Sequence, residues 1–404
     1  MKTSVLRLLL TLLLVSSAPT SAASQSAVLI NQRLELMQSV AAFKWLNQRS
    51  IEDLAREQVV LDQAAFQALR RQITTGSSRQ FFSAQIDAAK QIQTCWFDRW
   101  RDGGAPTAAP DLNTEVRPEL LRLGEAIIDS LVTVPSDQAA FLQALNVDCL
   151  TESARSDIYT ALTAIETYPS RLAQIRQSGI LRVGTTGDYA PFSFALDRSE
   201  PTGIDITLAE RLATHLGAEL RLVKTSWPTL TEDFLAGEFD IAMSGVSITA
   251  ARRKIAAFTL PYHVGGKTPI TLCRRVGEFS SLALIDQPGN TLIVNPGGTN
   301  EKFLDANIHQ AMKRLHNDNR TIFEEIVAGR ADLMITDSIE VRLKSAVMPE
   351  LCPSMPGETL TYQEKGYMLP QETALVETVN NWLNAEINSG ELERVFARHL
   401  QARP

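Results

Sequence analysis

The chain has no block of lysine and arginine, no CxxC pair and no second long apolar run. Each absence removes a class of function. With a net charge of −7 and no basic patch, the composition argues against nucleic acid as a partner. No His/Cys cluster has the spacing of a zinc site, so neither metal nor cofactor is expected. The one apolar run lies in "MKTSVLRLLLTLLLVSSAPTSAASQ", where Lys2 and Arg7 precede an apolar core from Leu8 to Val15 and small residues follow. That core is too short to span a bilayer comfortably, and the pattern predicts a cleaved secretory signal peptide over residues 1–22 and a periplasmic mature protein. Cysteine is scarce as well, with Cys95, Cys149, Cys273 and Cys352 alone. Export makes disulfides plausible. Two cysteines fall in each half, so Cys95–Cys149 and Cys273–Cys352 is the economical pairing among the three that sequence permits.

Strand signals are nearly absent from residues 24–168, and no repeat of short period runs through the chain. "LINQRLELMQSVAAFKWLN" carries apolar residues at helical spacing. "SIEDLAREQVVLDQAAFQALRRQI" opens with Ser50 and Asp53 in a capping-box arrangement, and "SRQFFSAQIDAAKQIQTCWFDRW" is a third helical run. After "ETYPSR" the grammar changes. "ILRVGTT", "AELRLVKT", "FDIAMSGVSIT" and "TLIVNPGG" read as strands alternating with helices, which implies parallel α/β layers. A multidomain chain is predicted, with an all-α domain over 24–168 followed by an α/β domain over 170–404.

Arg33 and Lys44 lie about three helical turns apart on one face, on a stripe that also holds Met37 and Val40. Such cations commonly snorkel to solvent. Asp53, Arg56 and Glu57 on the next helix make a charged face, and Gln93 follows Phe81, Phe82 and Ile86 on the third. Together, "RLELMQSVAAFKW", "SIEDLARE" and "QIDAAKQIQ" resemble the AroQ-type chorismate mutases, in particular the secreted gamma subclass. That resemblance implies a helical bundle converting chorismate to prephenate. Arg33 and Arg56 would serve substrate oxygens, while Lys44 and Gln93 would donate hydrogen bonds to the ether oxygen. Glu57 would bind the ring hydroxyl and Asp53 would fix Arg56. A Claisen rearrangement needs no nucleophile, only a compact conformer and preorganised donors for growing negative charge. Some members carry Glu where Gln93 stands, and Thr where Ala89 stands. Arg117 and Arg122 are both candidates for a second carboxylate-binding arginine, and Arg122 is the one chosen.

"RQSGILRVGTTGDYAPFSF", "GIDITLAERLA", "GEFDIAMSGVSITAARRK" and "GRADLMITDS" resemble the periplasmic amino-acid-binding receptors. The resemblance implies the two-lobed type II periplasmic-binding-protein fold, with lobe one over 172–266 plus 363–404 and lobe two over 267–362. Its cleft would hold Tyr189, Phe192 and Trp227 as ring neighbours, and Ser244, Gly245 and Ser247 as hydrogen-bond donors. Arg252 matches a carboxylate clamp, and Asp337 matches the acid that grips an α-amino group in receptors. Six ordered motifs, among them "TSWPTL", "GKTPITLC" and "DQPGNTLIVNPGGTNEKF", are closer still to periplasmic cyclohexadienyl dehydratase. That family converts prephenate to phenylpyruvate and arogenate to phenylalanine, and it carries a cysteine pair corresponding to Cys273 and Cys352. In this reading Thr299 and Asn300 hold a carboxylate at a helix mouth, Asn295 and Lys267 assist, and Glu301 is the general acid. A bifunctional enzyme follows, with chorismate, prephenate and arogenate as its small-molecule partners. A homo-oligomer is compatible with both resemblances. The alternative is a mutase fused to a non-catalytic amino-acid receptor.

Overall fold

The computed structural model describes residues 24–131, 135–195 and 199–401. The expected signal peptide, 1–22, lies outside them. Two compact units form, one of Met1–Gln67 with Gly76–Ile165, the other of Ala68–Thr75 with Glu166–Pro404.

Every regular element among the first unit's described residues is a helix. Ser24 opens it as an N-cap, its hydroxyl accepting from Ala27 N at 3.3 Å. The stripe bearing Arg33 and Lys44 is two segments, Gln25–Glu35 and Met37–Leu46, joined at Leu36. Leu54–Ala68 follows, and its cap differs from the expected one. Ser50 turns its hydroxyl to Glu52 O, while Asp53 accepts from Arg56 N and Glu57 returns a bond to Asp53 N. The reciprocal cap therefore sits three residues later than the sequence pattern suggests. The long helix Thr75–Arg101 buries Phe81, Phe82, Gln85, Ala88, Ala89, Ile92 and Gln93 along one face. These are spaced at three and four residues, the period of a helix with one side in a core. A disulfide joins Cys95 on this helix to Cys149.

The second unit holds two five-stranded sheets. In the first, the spatial order is Glu219–Lys224, Ile180–Thr185, Ile241–Ala242, Met368–Leu369, Ala257–Phe258. Its first three strands are parallel, and Met368–Leu369 returns antiparallel. In the second, the order is Met312–Leu315, Thr291–Val294, Leu333–Asp337, Lys267–Leu272, Leu351–Pro353. The chain passes from one sheet to the other beside the antiparallel pair His263–Gly265 and Gln363–Lys365, so two crossings join two lobes. Each lobe has its own apolar core, Val183, Leu208, Leu212, Ile241 and Trp382 in the first, Ile270, Ile293, Phe323 and Met334 in the second. The second disulfide, Cys273–Cys352, pins the strand Leu351–Pro353 to the end of Lys267–Leu272. Its closed loop constrains the unfolded chain by about 4 kcal/mol in the chain-entropy model.

Beneath the first sheet lies a buried ionic cluster. Asp240, wholly buried, accepts from Arg182 Nη2 at 2.6 Å and Arg171 Nη1 at 3.2 Å, and both arginines also donate to Leu69 O. Removing the acid leaves two buried guanidinium groups facing each other. Asp240→Ala is expected to destabilise the second unit by about 3–5 kcal/mol, read as a lowered denaturation midpoint with the slope unchanged.

Candidate functional site

In the first unit, Arg33 is 7% exposed on Gln25–Glu35. It does not snorkel. Its Nη1 donates to Gln85 Oε1 at 3.4 Å, its guanidinium lies 5.7 Å from the Phe82 ring centre, and burial pulls its pKa down to about 10. Lys44 donates to Ile51 O at 2.6 Å. Burial lowers its pKa, and the charges of Asp53 and Glu57 offset part of that. Gln93, 4% exposed, donates to Ala89 O at 3.0 Å, and its amide nitrogen otherwise meets only the Met37 thioether, a weak acceptor. Three buried polar atoms here have no hydrogen-bond partner: Arg33 Nε, Gln85 Nε2 and Gln93 Oε1. Such atoms are costly unless a ligand meets them. Glu57 pairs with Lys90 at 3.2 Å, and Arg56 is half-buried beside it. Arg122 is a correction. It is exposed and paired with Glu119, whereas Arg117 is close enough for its charge to depress Lys44. Gln85, which orients Arg33, was not anticipated, although it lies eight residues before Gln93 on the same helical face.

In the second unit a cleft lies between the sheets, at the carboxyl ends of their strands, with about 320 Å³ of empty space. Of the expected residues, Tyr189, Trp227, Gly245, Ser247, Arg252, Asn295, Thr299, Asn300 and Asp337 line it. Phe192, Ser244 and Lys267 do not; Phe192 packs beneath Tyr189, Ser244 bonds Thr186, and Lys267 is buried behind Thr299, Asn300 and Asp337. Arg252, on the short helix Ala250–Arg253, is held by its bond to Ser247 O at 3.0 Å, and burial takes its pKa down to about 10. The turn at Gly245 needs glycine. Its φ is +64°, and a Cβ would stand 2.5 Å from the Tyr189 ring and 2.6 Å from Phe192. Asp205 fixes that turn from below by accepting from Gly245 N and from Tyr262 OH.

The charged centre is Asp337. The register of Leu333–Asp337 against Lys267–Leu272 sets Asp337 opposite Lys267. Lys267 Nζ donates to Asp337 Oδ1 at 2.6 Å, and Lys365 Nζ donates to Oδ2 at 2.8 Å. Tyr189 OH also donates to Asp337, and Lys267 reaches Thr299 and Asn300. Burial alone would raise the Asp337 carboxyl, but the two lysines hold it far below the usual carboxylate range. Lys365 escaped the sequence reading. It ends the crossing strand Gln363–Lys365, pairs in register with Ser247 and also donates to Gly245 O. Asn319, also unanticipated, donates to Asp188 O across the cleft.

Glu301 is the second correction. It does not line the cleft. Its carboxylate turns back to accept from Gly297 N at 2.7 Å and lies 3.4 Å from Lys313 Nζ. A different acid stands behind the cleft. Glu340, 1% exposed in the first turn of Ser338–Val347, accepts from Thr336 Oγ1 at 2.6 Å, and Thr336 in turn accepts from Asn300. Burial pushes its pKa up to about 7, against the pull of Thr336 and Lys344. Asp337 and Glu340 thus differ sharply in the protonation they favour.

The comparisons agree with this division. The family described as Bacterial extracellular solute-binding proteins, family 3, matches residues 181–402, and Chorismate mutase type II matches residues 25–94. The cyclohexadienyl dehydratase of Pseudomonas aeruginosa is 49% identical over 243 residues, 60% of this chain and 91% of that protein. The L-cystine-binding protein TcyJ of Escherichia coli is 27% identical over 223 residues, 55% of this chain and 83% of its own. Among solved structures, the ancestral amino acid-binding protein AncCDT-1, a precursor of cyclohexadienyl dehydratase, aligns at a TM-score of 0.54 and 31% identity, covering 57% of this chain and all of that one.

The lobes meet at Gly297, where φ is +82° and a Cβ would lie 2.5 Å from Pro228 N. Gly297→Ala is expected to bias the lobes apart. The clash with Pro228 exists only while the lobes are together, so the shift toward the open form is visible as a larger radius of gyration by small-angle scattering.

Proposed function

We propose, for a chain that belongs to the family-3 extracellular solute-binding proteins and within them to the cyclohexadienyl dehydratases, two consecutive reactions on one polypeptide. The helical domain, 24–168, rearranges chorismate to prephenate. The α/β domain, 170–404, with lobes of 172–266 plus 363–404 and of 267–362, decarboxylates and dehydrates prephenate to phenylpyruvate. The setting is the periplasm, after removal of the leader. Among the described residues no helix is long and apolar enough to cross a membrane.

For the second reaction, the observation that carries the reading is the charge of the cleft. Arg252 and Lys365 line the cleft with one ionised acid, Asp337, and the buried Lys267 behind Asp337 adds a third cation, an excess of two positive charges suited to a dicarboxylate. Arg252 offers a fork for one carboxylate. The Thr299–Asn307 helix mouth, with Asn295, receives polar oxygens. Loss of CO2 sends the C–C electron pair into the ring and expels the ring hydroxyl, which leaves as water after taking one proton. Aromatisation drives the step, so the protein supplies position and that proton. Glu340 and Asp205 both combine deep burial with a pKa pushed up to about 7, but Asp205 is tied to Gly245 N and Tyr262 OH beneath the turn, whereas Glu340 is linked through Thr336 to Asn300 in the cleft wall, and we assign the proton to Glu340. Each turnover consumes one proton, and Glu340 regains its own from solvent.

For the first reaction, Arg33 and Arg56 engage substrate oxygens, with Arg117 as the second carboxylate partner. Lys44 and the amide of Gln93 donate to the breaking ether bond, Glu57 takes the ring hydroxyl, and Asp53 holds the start of its helix. The receptor alternative is not favoured, because the acid that would receive an amino group is already held by two lysines.

Glu340→Gln is expected to cut conversion of prephenate by about 10²–10⁴-fold, while Glu301→Gln stays within a few-fold of the parent. Because Glu340 donates from its protonated form, the parent's rate should fall as pH rises through about 7, and that limb should vanish in Glu340→Gln. Equal losses in both variants would remove Glu340 from the role. Lys44→Ala should lower the chorismate reaction about 10²–10³-fold, with added prephenate still consumed at the parental rate.

A further inference from the structure

We infer that the cleft of the second unit is selective for an α-keto dicarboxylate over the corresponding α-amino acid, and that Lys365 sets this selectivity. The inference rests on the reading of the cleft given above. An ammonium group needs an acidic oxygen free to accept from it. Asp337 is the sole acidic residue among those that line the cleft. Its Oδ1 is taken by Lys267, and its Oδ2 by Lys365 and Tyr189 OH. A carboxylate has about four acceptor directions in all, so these three donors leave one, on Oδ1 beside the Lys267 ammonium, whose charge opposes a second cation there.

The neighbouring acids offer no substitute. Asp188 accepts from Trp227 Nε1 at 3.0 Å, and burial pushes its carboxyl toward the neutral form. Asp205 lies wholly buried beneath Gly245, bonded to that backbone and to Tyr262. Glu340 is behind Thr336 and is raised by burial, and Glu301 is turned to Gly297 and Lys313. An incoming ammonium would therefore meet Lys365 and Arg252, with Lys267 behind Asp337, without a free counter-charge.

A keto oxygen reverses the balance, because it accepts where these groups donate. Lys365 is the residue that decides the matter. Lys267 is bound to Asp337 by strand register, within one sheet. Lys365 comes from the crossing strand and lies across the cleft, over the Tyr189 and Phe192 rings at 5.0 and 5.4 Å from their centres. Without Lys365, Asp337 would keep one lysine and regain an oxygen able to receive an ammonium.

The test uses the full chain. First, kcat/KM is measured with prephenate and with arogenate. Then phenylpyruvate and L-phenylalanine are titrated by calorimetry at neutral pH, in the parent and in Lys365→Met. The parent should favour prephenate over arogenate by roughly tenfold or more, since like charges brought together in a desolvated site are strongly disfavoured. It should also bind phenylpyruvate more tightly than L-phenylalanine. Lys365→Met should lose prephenate activity yet shift both ratios toward the amino acid by a similar factor. Should the variant not fold, the two parental ratios decide. Equal or better use of the amino forms by the parent overturns the inference and leaves the dehydratase reading standing. If prephenate is not turned over at all, that reading fails, and the calorimetric ratio still decides the preference for keto over amino ligands.

Discussion

The second unit depends on one ion pair that strand pairing imposes. Asp337 and Lys267 face each other because two antiparallel strands align in one register. A slip by a single residue would send the two side chains to opposite faces of the sheet. The pair is buried, so it would be a liability if left incomplete. Lys365 completes it from the other sheet's side of the cleft, and Tyr189 and the Thr299–Asn300 turn fill the remaining valences. The site's positive excess, the ionised state of Asp337 and the seating of Tyr189 all follow from that one alignment. Glu340 completes the contrast. Three residues from Asp337 and more deeply buried, it has no lysine hydrogen-bonded to its carboxylate, so burial outweighs the pull of Thr336 and Lys344 and takes its pKa up to about 7.

Much of this was legible in the sequence. Period and caps gave an all-α first half, and alternation gave α/β layers in the second. The motif order pointed to both halves of the function. Nine of the expected cleft residues line the cleft, because residues at strand ends are placed by the fold itself. The misses share a cause. "VNPGGTNEKF" suggested an acid aimed at a ligand, but a glutamate in a first helical turn also satisfies backbone N–H groups, and Glu301 bonds that of Gly297. "DSIE" fits an ordinary capping box, and nothing in that pattern marks Glu340. Nothing in "EKGYMLP" sets Lys365 apart from the other lysines. Burial separates these cases, and burial belongs to tertiary structure.

The first unit carries the same lesson in a different chemistry. A cation on an apolar stripe usually reaches for water, yet Arg33 is buried with its Nε unsatisfied and a glutamine amide beside it. That expense is stable only where an anion repays it. A rearrangement that makes and breaks bonds within one molecule asks for such a cage and for no acid or base. The second reaction needs a proton. The two units differ accordingly, one with donors held in helical walls, the other with acids whose protonation the fold sets apart.

The bonds from Lys365 and Tyr189 to Asp337 join residues of the first sheet's lobe to a residue of the second's. They act as a latch as well as an electrostatic balance. In a receptor, the ligand supplies most of the free energy that shuts the lobes, and tight retention is the result. Where the protein carries its own latch, closure draws less on the ligand. Opening must still break those interlobe bonds, but a product that has lost a carboxylate holds the lobes together less than the substrate did, which is what turnover asks of a scaffold built for capture.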